Sequence, residues 1–333
     1  MSIQKFKAMV VRETHDKKYI REITEKSIDE LPEGDVLIQV KYSSLNYKDA
    51  LSAIGNKGVT KNYPHTPGVD ASGIVEKSKR TDFEPGEEVI VHGYDLGMDT
   101  SGGFGQYIRV PADWIVKLPS GLTLKESMVY GTAGFTAALS VFKIQEHGID
   151  PESGEILVTG ATGGVGSIAV AILAKVGYQA VASTGKLDER NFLMDLGAKE
   201  VISRDEARDT TSRPLLKGRW AGVIDAVGGD ILATAIKSTK PGGIVTCCGN
   251  VASHELNTNV YPFILRGISL VGIDSANCPI DLRKKVWQKI ANEWKLEKLS
   301  QLTSEISLEE LGTNIELMLQ GKQKGRVVVD LWR

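Results

Sequence analysis

Cysteine is scarce. Cys247, Cys248 and Cys278 are the three in a chain of 333 residues, too few for a disulfide framework, and adjacent Cys247 and Cys248 on a strand would point to opposite faces. They read as small buried hydrophobes in a reducing compartment, so the expected location is cytoplasmic. Long apolar runs are also missing: none approaches the roughly 18 residues of a membrane span. Met1–Lys7 lacks the apolar core of a signal peptide. Nor is there a dominant charge. Lys and Arg number 40 against 42 Asp and Glu, a net −2, which provides no field for gripping nucleic acid. The five histidines, His15, His65, His92, His147 and His254, show no metal or triad spacing. His65 and His92 read as surface histidines, and no G-x-S-x-G element or catalytic carboxylate pair appears. Proline is low at 11 and glycine high at 35, a balance suited to tight strand-to-helix turns. At roughly 150 residues per domain, the length predicts two domains.

The first third reads as β-rich. Lys7–Arg12, Val36–Tyr42, Ala71–Lys77, Glu88–Gly93 and Gln106–Pro111 are short apolar or alternating runs bounded by turn residues. They suggest a compact, partly open barrel. From Leu124 the texture changes. A small-residue helix over Leu124–Phe142 precedes alternating strand-like and helical runs, with strands at Glu155–Thr159, Gln179–Ser183, Glu200–Ser203, Ala221–Ala226, Gly243–Cys247 and Ser269–Ile273. Repeated βα units with nearly all-apolar strands predict a doubly wound parallel sheet of the Rossmann kind. Helical stretches follow Pro279 and span Leu308–Leu319, and the chain ends on a strand, Gly325–Leu331. A terminal strand needs a partner sheet, so the fold class is α/β, with the nucleotide domain (128–275) inserted into a discontinuous β-rich domain (1–127 plus 276–333).

The strongest local signal is the run from Ile156 to Val170, ILVTGATGGVGSIAV, an apolar strand entering a glycine turn that opens an apolar helix. Thr162, Gly163, Gly164, Val165 and Gly166 form the candidate pyrophosphate cradle: glycines admit the anion, and the helix N-terminus offers free N–H groups and a positive dipole end. Ala161 occupies the first glycine position of the usual fingerprint. The next strand ends in Ala182-Ser-Thr-Gly-Lys186, with no acid to hold a ribose 2′-hydroxyl. Thr184, Gly185 and Lys186, with Arg204 beyond the following strand, suit a 2′-phosphate, so the expected cofactor is NADP(H). The later strand ends, Asp225–Gly229, Cys248–Asn250 and Gly272–Ser275, are expected to flank its nicotinamide half, with Asn250 and Ser275 as contacts.

This β-rich domain followed by VTGATGGVGS resembles the medium-chain dehydrogenase/reductase superfamily. Asn46–Asp49 (NYKD), Pro67–Asp70 (PGVD), Tyr130–Ala138 (YGTAGFTAA), Tyr261–Arg266 (YPFILR) and Gly272–Ser275 (GIDS) are similar to its zinc-free branch of quinone oxidoreductases and acryloyl-CoA reductases. The resemblance implies a GroES-like catalytic domain and adds Ile264 to the cofactor contacts. The first catalytic zinc ligand of the alcohol dehydrogenases is a Cys where Asn46 stands, and Val69 replaces their ligating His. With no Cys before Cys247 a four-cysteine zinc loop is impossible, so no metal is expected. The resemblance implies hydride transfer to an activated double bond, as in acryloyl-CoA or a similar enoyl thioester, or to a quinone. A non-catalytic NADPH-binding sensor is the alternative from another class. Tyr47 is the candidate catalytic residue: it also contacts the cofactor, and it orients it, donates a proton, or does both. Asp49 is expected to cap a short helix. Lys48, Lys57, Lys61 and Arg266 are candidate receptors for the phosphates of a CoA substrate. The β-former-rich strand Ser269–Ile273 is a candidate edge through which a homodimer forms.

Overall fold

The computed structural model describes residues 4–211 and 213–333; the first three residues of the Met1–Lys7 stretch lie outside them. The chain divides into two compact units. One takes Met1–Thr132, Ala276–Trp287 and Lys298–Arg333, the other Ala133–Ser275 and Gln288–Glu297.

The first unit opens with β1 (Lys5–Glu13) and β2 (Tyr19–Ser27), an antiparallel pair. It continues through β3 (Val36–Leu45), α1 (Tyr47–Ala53), β4 (Asp70–Ser78), β5 (Glu88–His92), β6 (Tyr107–Val110) and β7 (Ile115–Lys117). The inserted stretch starts with α2 (Leu124–Glu146), whose regular turns break at Gly131 (φ 50°, ψ −156°). It then alternates β8 (Glu155–Thr159), α3 (Gly164–Lys175), β9 (Gln179–Thr184), α4 (Arg190–Asp195), β10 (Glu200–Ser203), β11 (Trp220–Asp225), α5 (Gly229–Ser238), β12 (Thr239–Cys247), α6 (Tyr261–Arg266) and β13 (Ser269–Gly272). The chain closes with α7 (Ile280–Ala291), α8 (Leu299–Leu302), β14 (Thr303–Ser307), α9 (Leu311–Leu319) and β15 (Arg326–Asp330).

The sheet of the second unit is parallel throughout, in the order β10-β9-β8-β11-β12-β13. The order reverses between β8 and β11, the switch point at which doubly wound sheets open a crevice. Every residue of β11 is buried, as a strand covered on both faces requires. This is the expected α/β architecture with its Rossmann sheet.

In the first unit β15 pairs antiparallel with β3, Val327 opposite Leu45, and carries β14 on its other edge. The terminal strand thus finds the β-rich sheet predicted for it. Val327, Val328 and Val329 are fully buried, each worth about 1.5–3 kcal/mol of transfer free energy. Three strands escaped the sequence pattern. β2 carries Arg21, Glu22, Glu25 and Lys26 and is at least partly exposed at every position, as one strand of a two-stranded ribbon. β7 has three residues, and in β14 Ile306 alone is buried. No described helix is long and apolar enough to cross a membrane.

Candidate active site

In the second unit the predicted glycine turn joins β8 to α3. Gly163 is the N-cap of α3, whose first N–H groups lack intrahelical acceptors. A Cβ on Gly166 would lie 2.4 Å from the Gly160 carbonyl oxygen, so only glycine lets the helix start this close to the strand. The Thr162 and Thr184 hydroxyls are 3.1 Å apart, and the Lys186 amide donates to Thr184 Oγ1 at 3.0 Å. A Cβ on Gly185 would meet the Arg204 guanidinium at 2.8 Å, so that fork lies flat against Gly185. The structure therefore gathers Thr162, Thr184, Gly185, Lys186 and Arg204 at the carboxyl ends of β8, β9 and β10. Their chemistry fits a dinucleotide with a phosphate on its ribose: N–H donors, hydroxyls and cations, with no carboxylate at the end of β9.

Next to it, a cleft of about 690 Å³ opens at the carboxyl ends of β11, β12 and β13, lined among others by Gly228, Cys247, Cys248, Asn250, Gly272 and Asp274. Its floor is stitched by buried Asp225, which accepts from Thr159 Oγ1 at 2.7 Å and from the Gly228 amide at 2.8 Å. Burial, then the Asp225 charge, pushes the Cys248 thiol up to about 12. Ser275 hydrogen-bonds Thr136, 2.8 Å between hydroxyl oxygens. Ile264, 67% exposed on α6, does not line this cleft.

Tyr47 belongs to the first unit, as the first residue of α1 and 40% exposed. Asp49 caps that helix as expected, accepting from the Asn46 amide at 2.8 Å, and its other oxygen accepts from the Val69 amide at 2.8 Å. Below lies a buried polar cluster whose centre, Asp70, accepts from Ser44 Oγ (2.5 Å), Asn46 Nδ2 (2.7 Å) and Thr132 Oγ1 (2.6 Å). Arg326, 2% exposed, donates to the Val129 carbonyl, Asn46 Oδ1 and Ser44 Oγ. A Cβ on Gly131 would sit 2.4 Å from the Asp70 carboxylate, so glycine lets the chain pass the cluster. Burial, with the Asp70 charge beside it, pushes the Asp49 carboxyl up to about 7.

Sequence reasoning passed over Asp70 and Arg326 as functional residues. Asp70 was visible in the PGVD motif, and the signal for Arg326 is a lone cation heading a run of valines buried on both faces. These groups do not fit a metal. Asn46 spends its amide on Asp70 and Arg326, Val69 is aliphatic, and no described cluster of three His, Cys, Asp or Glu could hold an ion.

The histidine reading needs correcting: His65 is 7% exposed and His92 fully buried. His92 accepts from Trp287 Nε1 at 2.9 Å, and burial with the adjacent Arg283 guanidinium holds it well below the usual histidine range. The strand–turn texture gave no hint that β5 ends against the returning segment. Three of the candidate phosphate receptors are already engaged. Lys57 pairs with Glu13 at 2.9 Å and Lys61 with Asp99 at 3.7 Å, while Arg266 donates to the carbonyls of Leu216, Lys237 and Thr239.

Residues 32–120 match the family described as "Alcohol dehydrogenase GroES-like domain", and residues 164–292 the one described as "Zinc-binding dehydrogenase". The putative quinone oxidoreductase YhfP of Bacillus subtilis is 47% identical over 92% of this chain and 93% of its own. The acrylyl-CoA reductase AcuI of Ruegeria pomeroyi is 41% identical over 98% and 99%. Among solved structures, the yhdH oxidoreductase from Salmonella enterica in complex with NADP superposes with a TM-score of 0.95 at 38% identity, covering 98% of this chain and 99% of that one. Bacillus subtilis yhfP with NAD bound gives 0.96 at 44%, covering 98% and 100%. The chain belongs to the medium-chain dehydrogenase/reductase superfamily, in its quinone oxidoreductase and acrylyl-CoA reductase branch. The donor set around Asn46 departs from the second family's description, since it does not fit zinc.

Proposed function

We propose that the chain is a zinc-independent, NADPH-dependent reductase of activated carbon–carbon double bonds, with acrylyl-CoA or a similar small enoyl thioester as acceptor. The observation that carries this reading is the filled polar cluster under α1: Asn46, Asp70 and Arg326 satisfy one another, and Tyr47 is the exposed polar group beside them. Two relatives named for acrylyl-CoA reduction, 41% and 42% identical over nearly the whole chain, support the acceptor class. NADPH, when bound, supplies the hydride. Thr162, Gly163, Gly164, Val165 and Gly166 hold its pyrophosphate, Thr184, Gly185, Lys186 and Arg204 its 2′-phosphate, and Asn250 and Ser275 the nicotinamide half, with Ile264 a further cofactor contact.

As the acceptor is reduced at its β-carbon, negative charge builds on the thioester oxygen. Tyr47 donates a hydrogen bond to that oxygen or a proton to the α-carbon. Asp49 aims Tyr47 by fixing the first turn of α1 to the Val69 amide.

A quinone acceptor is the second reading, favoured by the name of the 47% identical relative. Following NADPH absorbance with acrylyl-CoA and with a benzoquinone separates the two. The thioester is expected to turn over faster, a quinone faster by a wide margin overturns the assignment, and tight NADPH binding with no turnover of either favours a sensor. We further infer a cytoplasmic homodimer joined through the β13 edge, supported by the exposed Val260, Tyr261 and Leu265 on and before α6. Sedimentation of a monomer at micromolar concentration contradicts it.

A further inference from the structure

The Tyr130–Ala138 motif carries two threonines four residues apart. Thr132 is spent on the Asp70 carboxylate. Thr136, 5% exposed, directs its hydroxyl to Ser275 at 2.8 Å. In the next turn Ser140 bonds back to the Thr136 carbonyl at 2.9 Å, as hydroxyls inside helices ordinarily do. Thr136 reaches across to another segment.

That segment walls the cleft. Gly272, Ile273 and Asp274 line it, Ser275 follows, and the second unit's run ends there. The wall continues the edge strand β13, and the Ile273 amide donates to the Cys247 carbonyl at 2.9 Å. From a buried helix, Thr136 adds a side-chain bond to the same segment, donating to the Ser275 hydroxyl oxygen.

We propose that Thr136 is a positioning residue for the cofactor, holding Ser275 and the Gly272–Asp274 wall in register for the nicotinamide half. This rests on the reading of Ser275 as a cofactor contact. Thr136→Val keeps the shape and removes the hydroxyl; Thr136→Ser keeps the hydroxyl. Fluorescence titration with NADPH is expected to show Thr136→Val binding about three- to tenfold more weakly, the scale of one buried hydrogen bond. KM for NADPH should rise in parallel while kcat at saturating cofactor stays within about twofold, and Thr136→Ser should restore both. Ser275→Ala should reproduce the loss, and the double variant Thr136→Val/Ser275→Ala should be no worse than Ser275→Ala alone. Wild-type affinity in Thr136→Val, no rescue by serine, or additive losses in the double variant overturns the proposal. Should Thr136→Val not fold, the serine and Ser275→Ala variants decide: wild-type affinity in Ser275→Ala overturns the proposal, and a loss there with full affinity in Thr136→Ser upholds it. Failure of the wild-type protein to bind NADPH sinks the cofactor reading itself, a different result from normal binding that the variants leave untouched.

Discussion

The Arg326 guanidinium stands 3.7 Å from the Asp70 carboxylate, with side-chain exposures of 2% and 0%. Neither charge is solvated, so removing one leaves the other buried and uncompensated. Arg326→Leu is expected to destabilise the protein by about 3–5 kcal/mol, read as a shift in urea midpoint. Arg326→Lys should recover part of this, because it keeps the charge but not the fork that reaches Ser44, Asn46 and the Val129 carbonyl together. Wild-type stability in the leucine variant contradicts the account of this cluster.

Asp49 predicts an unusual slope of stability with pH. Its carboxyl sits at about 7 in the folded chain against an ordinary 3.8, chiefly through burial. The folded state therefore holds this proton more tightly than the unfolded state. Asp49's contribution is most favourable below about pH 4 and is lost as pH rises towards about 7. Asp49→Asn, which cannot ionise, should flatten the curve of unfolding free energy over that window. An unchanged slope shows that another group sets it.

Arg204 is the cation laid against Gly185 where NAD-specific sheets place an acid. Losing one charge-assisted contact to a phosphate weakens binding by about ten- to a hundredfold. Arg204→Ser should raise KM for NADPH by that factor and leave KM for NADH nearly unchanged. Equal losses with both cofactors mean that Arg204 does not read the 2′-phosphate.

Tyr47→Phe removes one hydroxyl from an exposed helix start. With acrylyl-CoA, kcat is expected to fall by about 10²–10⁴, the range for a positioned acid, with NADPH affinity unchanged. If kcat holds and NADPH binding weakens instead, Tyr47 orients the cofactor and donates nothing.

Much of this is legible in the sequence. The β8–turn–α3 unit announced itself because a strand buried on both faces, a glycine turn and an apolar helix are local features, and β15 was assignable because a valine run must be covered. The convergence of Thr184, Gly185 and Arg204 followed from the parallel order, which places successive strand ends side by side. What stayed hidden is non-local. Asp70 and Arg326 meet only because β4 and β15 flank β3, and nothing in either segment names its partner. His92 looked like a surface residue because its cover, Arg283 and Trp287, arrives from the chain's return after the inserted unit. Lys57 and Lys61 looked available because their partners lie far off in sequence, Glu13 at the end of β1 and Asp99 in a later loop.

The central claim is that hydride passes to the β-carbon of an activated alkene. NADPH deuterated at the transferable position, incubated with the protein and acrylyl-CoA, should yield a propionyl thioester carrying one deuterium at its β-carbon, seen by NMR of the product. No propionyl product, or product without deuterium at that carbon, contradicts the account.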